Sequence, residues 1–209
     1  MTDAANRADL RATYDRHAHE RETSALPDWK IAQRQAFLAR LQAEGKTSLL
    51  EIGAGTGRDS LFFQEAGLQV QCVDLAPVMV ALCRQKGLAA QVMDVCDLRF
   101  APGTFDAVYA FNSLLHLAKP ELPTALRQIE AVLRPEGLFY LGVYGGYDHA
   151  GVWEQDTYTP QRFFSFFSDA QLCSEVSRVF ELLDFSPIIL EPADPLHFQA
   201  VVLRKRRQP

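Results

Sequence analysis

Apolar positions along this chain fall into two kinds of run. Over roughly the first 45 residues they recur at helical spacing: Ile31, Phe37, Leu38 and Leu41 share a face, Gly45 is a stop, and Pro27 separates two predicted helices. From Ser48 onward, short near-continuous apolar runs alternate with amphipathic stretches. Ser48–Ile52, Val70–Val73, Ala90–Met93, Phe105–Phe111 and Leu138–Val143 read as strands buried on both faces. Helices are predicted through Leu61, Phe62 and Phe63 to Gly67, and from Pro77 through Val78, Met79, Ala81 and Leu82 to Gly87. A third spans Glu121–Leu133, with Arg134-Pro135-Glu136-Gly137 as its turn. Strands alternating with helices in this way predict an α/β fold with a parallel sheet covered on both faces. The end of the chain differs. Ser168–Leu183 reads as a helix, and Ile188–Leu190 and Phe198–Leu203 as strands whose connection is too short for a crossover helix, so this pair should be antiparallel.

A length of 209 residues, 48% of them apolar, fits a single domain that buries its core without metal or disulfide. A net charge of −5 argues against nucleic acid as a partner. The basic cluster Arg204, Lys205, Arg206 and Arg207 reads as a solvated tail. Cys72, Cys83, Cys96 and Cys173 form no Cys-x-x-Cys pair and read as reduced, mostly buried thiols. His17 and His19 fall on different helix faces, and no metal site is expected. The polar N-terminus shows no signal peptide, and no run nears the ~18 apolar residues of a membrane span, so a soluble cytoplasmic protein is expected.

In open α/β sheets ligands bind at the carboxyl ends of the strands. Glu51-Ile52-Gly53-Ala54-Gly55-Thr56-Gly57 follows the first strand, and its alternate glycines let backbone turn sharply and approach a ligand. Asp74 closes the second strand, where a carboxylate can accept from both hydroxyls of a ribose. Asp94 closes the third and can accept from an adenine amino group. Asn112, Ser113 and Leu114 follow the fourth strand, and Tyr144, Gly145 and Gly146 the fifth. Each has a plain alternative, since Asp74 could cap a helix and Asp94 could sit in a turn. Their joint placement at successive strand ends points to an adenosine ligand. A dinucleotide turn would want a third small residue where Arg58 stands, and no Gly-Lys-Ser/Thr follows for a P-loop.

Leu49-Leu50-Glu51-Ile52-Gly53-Ala54-Gly55-Thr56-Gly57 resembles the first motif of the class I S-adenosylmethionine-dependent methyltransferases. Val73-Asp74-Leu75-Ala76-Pro77-Val78-Met79, Val92-Met93-Asp94-Val95, Phe105-Asp106-Ala107-Val108 and Leu133-Arg134-Pro135-Glu136-Gly137-Leu138 resemble its later segments, so the likeness covers about residues 48–145. The resemblance implies a Rossmann-like three-layer sandwich whose seven-stranded sheet has order 3-2-1-4-5-7-6, strand seven antiparallel. It also implies three parts of one domain: an N-terminal helical cap over 1–46, a cofactor-binding core over 47–145, and an acceptor-side loop, helix and terminal strands over 146–209. The implied cofactor is S-adenosylmethionine, with S-adenosylhomocysteine as product. Glu51, Gly53, Ala54, Gly55 and Gly57 would belong to the turn against its methionine portion, Asp74 would hold the ribose, and Leu75 and Met79 would flank the adenine. Asp94 and Val95 would meet the adenine edge, Asn112 would lie beneath the sulfonium, and Tyr14 would close over the whole. Arg58 either pairs with the cofactor's carboxylate or is a solvated first-turn arginine.

Methyl transfer needs alignment and desolvation, and a base only for a nucleophile protonated at neutral pH. His116, Tyr144 and His149 are the catalytic candidates, with Tyr147 and Asp148 beside them; His116 is either a base or a wall of the pocket. Phe163, Phe164, Phe166 and Phe167 read as core under the last helix, with an apolar acceptor pocket as the alternative, and Trp153 and Tyr158 as lid residues. Asn112-Ser113-Leu114-Leu115 is not the Asp/Asn-Pro-Pro-aromatic of amino-methylating DNA enzymes, so a small-molecule acceptor is expected, with the chain a monomer or homodimer. A non-catalytic module that binds the same cofactor, and a nicotinamide oxidoreductase, are the rival readings.

Overall fold

Three helices precede the sheet in the computed structural model, which describes residues 3–207: α1 (Asp3–Arg16), α2 (Ala18–Thr23) and α3 (Asp28–Ala43). The predicted stop at Pro27 holds, since its extended backbone (φ −59°, ψ 145°) caps α3. The chain breaks once more, at His17, so the first predicted helix is two. Then come β1 (Ser48–Ile52), α4 (Arg58–Glu65), β2 (Gln69–Asp74), α5 (Pro77–Gln85), β3 (Ala89–Val92), β4 (Phe105–Phe111), α6 (Leu122–Val132) and β5 (Leu133–Gly145). The predicted turn Arg134–Gly137 survives as an irregularity within β5: Phe105 pairs with Leu133 and Ala107 with Leu138, and Glu136 takes φ 61°.

The remainder is β6 (His149–Val152), β7 (Phe163–Phe166), α7 (Asp169–Ser177), β8 (Phe180–Ile188) and β9 (His197–Lys205). The main sheet runs β3-β2-β1-β4-β5-β9-β8, with β9 antiparallel to both neighbours. With the separate β6–β7 hairpin left out of the count, this is the expected order 3-2-1-4-5-7-6. Two expectations are corrected here. Helical spacing at Leu172, Val176 and Phe180 runs past the end of α7, because Phe180 instead pairs with Lys205 across the sheet. Of the predicted strand Ile188–Leu190, only Ile188 pairs, while Ile189 is 56% exposed.

Alternate residues of the central strands build two cores. Val108, Phe139 and Leu141 pack with Leu126 and Ile129 of α6, while Leu49, Tyr109 and Tyr140 pack with Phe37 of α3 and Phe63 of α4. At the amino edge of the sheet, Asp106 accepts from the backbone amides of Thr47 and Ser48, each at 3.0 Å, and from Arg134 at 2.8 Å. Although partial burial opposes ionisation there, these donors hold its carboxyl well below the usual range. The basic C-terminus is not a free tail. Arg204 pairs with Glu44 at 2.9 Å, Lys205 donates to the carbonyls of Glu130 and Leu133, and Arg206 donates to that of Ser177, because β9, held between β5 and β8, extends through Lys205. All four cysteines are free, with Cys72 and Cys83 buried and Cys96 and Cys173 half-buried. Among the described residues no helix is long and apolar enough to cross a membrane.

Candidate functional site at the strand ends

The turn after β1 is fixed by backbone. The amides of Gly53 and Ala54 donate to the Val73 carbonyl at 2.8 and 3.1 Å, tying the turn to β2. Gly53 takes φ 71° and lies so close to the segment after β4 that a Cβ would stand 2.3 Å from Ser113 Cβ. Gly55 takes φ 55°, but a Cβ there meets nothing within 4 Å, so this stretch of backbone faces open space. Asp74 accepts from Gly55 N and from Ala76 N, both at 2.8 Å, one on each oxygen. Its burial pushes the carboxyl pKa up, against the pull of those two amides.

Three cavities meet around these strand ends. The first, open to solvent, is walled by Gly53, Gly55, Asp74 and Leu75 from the first two strand ends. Asp94 and Val95 follow from the third, and Asn112 and His116 from beyond the fourth. Tyr14 and Arg7 of α1 roof it. Arg7 reaches Asp94 and Glu121, each at 2.5 Å, and so pins α1 across the cavity. The second space lies along Gly53, Ala54, Gly55 and Thr56, and includes Glu51, Arg58 and Lys30. The third lies between β5 and the hairpin, against Tyr144, Trp153, Phe164 and Phe166. Arg21 and Asn112 line all three. Asn112 stands at φ 54°, its amide donating to Gly142 O at 2.7 Å, and its Oδ1 is buried with no partner.

Packing decides the place of the other predicted residues, some inside these cavities and some outside them. Met79 is fully buried against Ala18 and Ala76 and walls none of the three cavities, because the α1–α2 junction has packed down on α5. Gly57 begins α4, where a Cβ would press on Cys83 Sγ at 2.8 Å; its role is close packing. Glu51 accepts from the Ser60 hydroxyl, and burial pushes its carboxyl well up. Arg58 donates to Ser24 O at 2.6 Å, joining α4 to the end of α2. His149 packs beside Tyr147 and Phe166 and lines none of the three cavities, with its Nε2 buried and unpartnered. Asp148 turns to the outer surface, accepting from Lys119 at 2.6 Å. Phe164 and Phe166 serve both predicted roles, since they pack into the core and wall the third cavity. Tyr158 stacks on His17, ring centroids 4.3 Å apart.

His116 and Tyr14 form the partition between the first and third cavities. His116 Nδ1 lies 2.9 Å from the Phe163 carbonyl, which can only accept, so Nδ1 carries the proton. Nε2 therefore accepts from the Tyr14 hydroxyl at 2.7 Å. Tyr14 in turn accepts from Arg162 at 3.1 Å, and Arg162 pairs with buried Asp156 at 2.6 Å. Burial pushes the His116 pKa down to about 3, so the ring is neutral. Arg7, Arg21 and Arg162 were not legible as site residues, because each comes from a distant segment and joins the site only through tertiary packing. The one local hint is the helical spacing of the N-terminal segment.

Residues 49–137 match a family model described as a methyltransferase domain. A malonyl-[acyl-carrier protein] O-methyltransferase of Serratia marcescens is 28% identical over 73% of this chain and 60% of its own length. A ubiquinone biosynthesis O-methyltransferase of Xanthomonas campestris is 33% identical over 52% of this chain and 47% of its own. The chain thus spans about half the length of the curated relatives it matches. The structure of the Burkholderia thailandensis 1,6-didemethyltoxoflavin-N1-methyltransferase, with 1,6-didemethyltoxoflavin and S-adenosylhomocysteine bound, aligns over 99% of this chain and 92% of its own, with a TM-score of 0.74 and 25% identity. In sheet order, strand-end site and the methyltransferase-domain match over residues 49–137, the chain is similar to the class I S-adenosylmethionine-dependent methyltransferases.

Proposed function

We propose that this chain is an enzyme that moves the methyl group of S-adenosylmethionine to an oxygen, nitrogen or sulfur of a small-molecule acceptor, in the cytoplasm. The observation that carries this reading is the meeting of three cavities at Asn112 and Arg21. Methyl transfer needs a nucleoside site, an amino-acid site and an acceptor site that converge on one point. The residues fit the cofactor. Asp74 gives each oxygen to a single amide and keeps acceptor capacity for ribose hydroxyls. Gly55 leaves open space where a side chain would intrude, and the orphaned Asn112 Oδ1 lies at the convergence, where a positive sulfur is a favourable neighbour.

Residues 1–46 act as a cap, 47–145 as the cofactor core and 146–209 as the acceptor side. When bound, the cofactor supplies an electrophilic methyl carbon. The chain's own part is to align and dry the site. Tyr14 and Arg7 hold α1 across the first cavity, and the hairpin closes the third. His116 has its lone pair engaged by Tyr14 and its ring held neutral, so it positions the partition between the two ligands. The bound ligands of the Burkholderia thailandensis enzyme, 1,6-didemethyltoxoflavin and S-adenosylhomocysteine, support a small-molecule acceptor here. Calorimetric titration tests the reading. S-adenosylmethionine and S-adenosylhomocysteine should both bind and NAD should not, and Asp74→Ala should weaken binding roughly 30- to 150-fold, as expected for lost hydrogen bonds to a charged group. No binding to folded wild type overturns it.

A further inference from the structure

The third cavity combines aromatic walls with uncompensated positive charge. Tyr144, Trp153, Phe164 and Phe166 give it flat apolar faces. Three cations also reach it, and they differ in their partners. Arg162 is neutralised by Asp156. Arg21 donates to the Tyr158 hydroxyl at 3.3 Å and lies 5.1 Å from the centre of the Tyr14 ring, and Lys30 lies 5.3 Å from the centre of Trp29 and 5.7 Å from that of Phe111. Among the described residues neither Arg21 nor Lys30 has an ion-pair partner within 4.0 Å.

The carboxyls around them are engaged elsewhere: Asp74, which feels the Arg21 charge, faces the first cavity and accepts two backbone amides. Asp59 is paired with Arg34 at 2.9 Å, and burial drives Glu51 toward its neutral form. Burial and the neighbouring Arg21 charge both push the Lys30 pKa down, as two unpaired cations sharing a wall require. A sulfonium brought to the convergence adds a further positive charge. One carboxylate, from the cofactor's amino-acid end, leaves the wall still cationic.

We propose, building on the methyltransferase reading, that the third cavity takes a planar aromatic acceptor bearing an ionised oxygen or nitrogen, held by Lys30 and Arg21. The acceptor's lone pair forms the new bond to the methyl carbon as the sulfur–carbon bond breaks, with that electron pair returning to sulfur. Because the acceptor enters as an anion, no proton has to leave in the step. This accounts for a site wall whose only histidine donates through Nδ1 and has Nε2 already engaged.

The test uses protein saturated with S-adenosylhomocysteine and two matched probe pairs, 2-naphthoate against 2-naphthamide and 4-nitrophenolate against 4-nitroanisole. Binding is read by quenching of Trp153 in a Trp29→Phe background, with S-adenosylhomocysteine affinity measured separately. Wild-type affinity should favour the anion of at least one pair by about tenfold or more. Lys30→Met should cut that ratio below about threefold, and Lys30→Arg should restore it. Equal affinity within both pairs, no binding by any probe, or a preference that survives Lys30→Met combined with Arg21→Gln overturns the proposal. Failure of S-adenosylhomocysteine itself to bind wild type overturns the methyltransferase reading instead.

Discussion

The first and third cavities lie on either side of the His116–Tyr14 partition, yet they are made of different material. The first has a floor at the strand ends, made of a glycine turn and two aspartates that accept main-chain amides, under a roof of Tyr14 and Arg7. The third is built from side chains of the hairpin, α2, α3 and the end of β5. A backbone-made site inherits the rigidity of the sheet. A site made of side chains depends on a few long-range contacts, above all the run Asp156–Arg162–Tyr14–His116. Fixed chemistry thus sits on the sheet and adjustable recognition on the additions to it.

The largest effect should come from breaking that run. Arg162→Met leaves the Asp156 carboxylate, 1% exposed, without its cation. Removing one partner of a buried pair costs about 3–5 kcal/mol. The loss should be local: amide exchange across residues 149–166 should speed up by roughly 100-fold or more, while β1, β2 and β4 keep their protection. S-adenosylhomocysteine affinity should fall by no more than about tenfold, through the lost support to Tyr14. Uniform loss of protection across the sheet breaks the division between the two regions.

The reciprocal variant lies in the turn. Gly55→Val forces a β-branched residue to φ 55° and sends its side chain into open space. Strain of about 1–3 kcal/mol is expected, together with a loss of S-adenosylmethionine affinity near 100-fold. Exchange in the hairpin should not change. A Gly55→Val protein that binds normally would show that the turn does not face the cofactor.

The same division explains what was legible in the sequence. Glycines at φ 71°, 55° and 80° and aspartates at strand ends are local signals, because each residue type is demanded by its own backbone. Alternating runs and one short connection gave a parallel sheet with an antiparallel terminal pair, while the strand order came from the family resemblance. The β6–β7 hairpin left no such mark. Its connection, residues 153–162, is long and mostly polar, and Phe163–Phe167 could serve a core or a pocket equally well. Helix α7 was overrun for a related reason. Leu172, Val176 and Phe180 keep helical spacing, but pairing with β9 recruits Phe180 into a strand. Arg7, Arg21 and Arg162 are ordinary surface-type arginines until the fold delivers them, and no local pattern separates them from Arg11 or Arg16.

The smallest effect is a pH dependence that belongs to the partition. His116 has a folded pKa near 3, pushed down by burial, against about 6.5 for an unfolded histidine. The unfolded chain therefore binds this proton first as pH falls. The stabilising contribution is complete above about pH 6.5 and is lost progressively below it, toward the folded value. At pH 5.5, one unit under the unfolded value, the loss from this group is about 1.4 kcal/mol. For a chain of this size that is a fall in Tm of roughly 3–6 °C between pH 7.5 and 5.5. His116→Phe gives up the bonds to Tyr14 and the Phe163 carbonyl, so its Tm at pH 7.5 should be lower. With no proton to take up at that position, it should lack this component of the fall. Parallel curves for wild type and His116→Phe would mean that the imidazole takes up its proton alike in the folded and unfolded chain, so that burial does not hold the partition neutral.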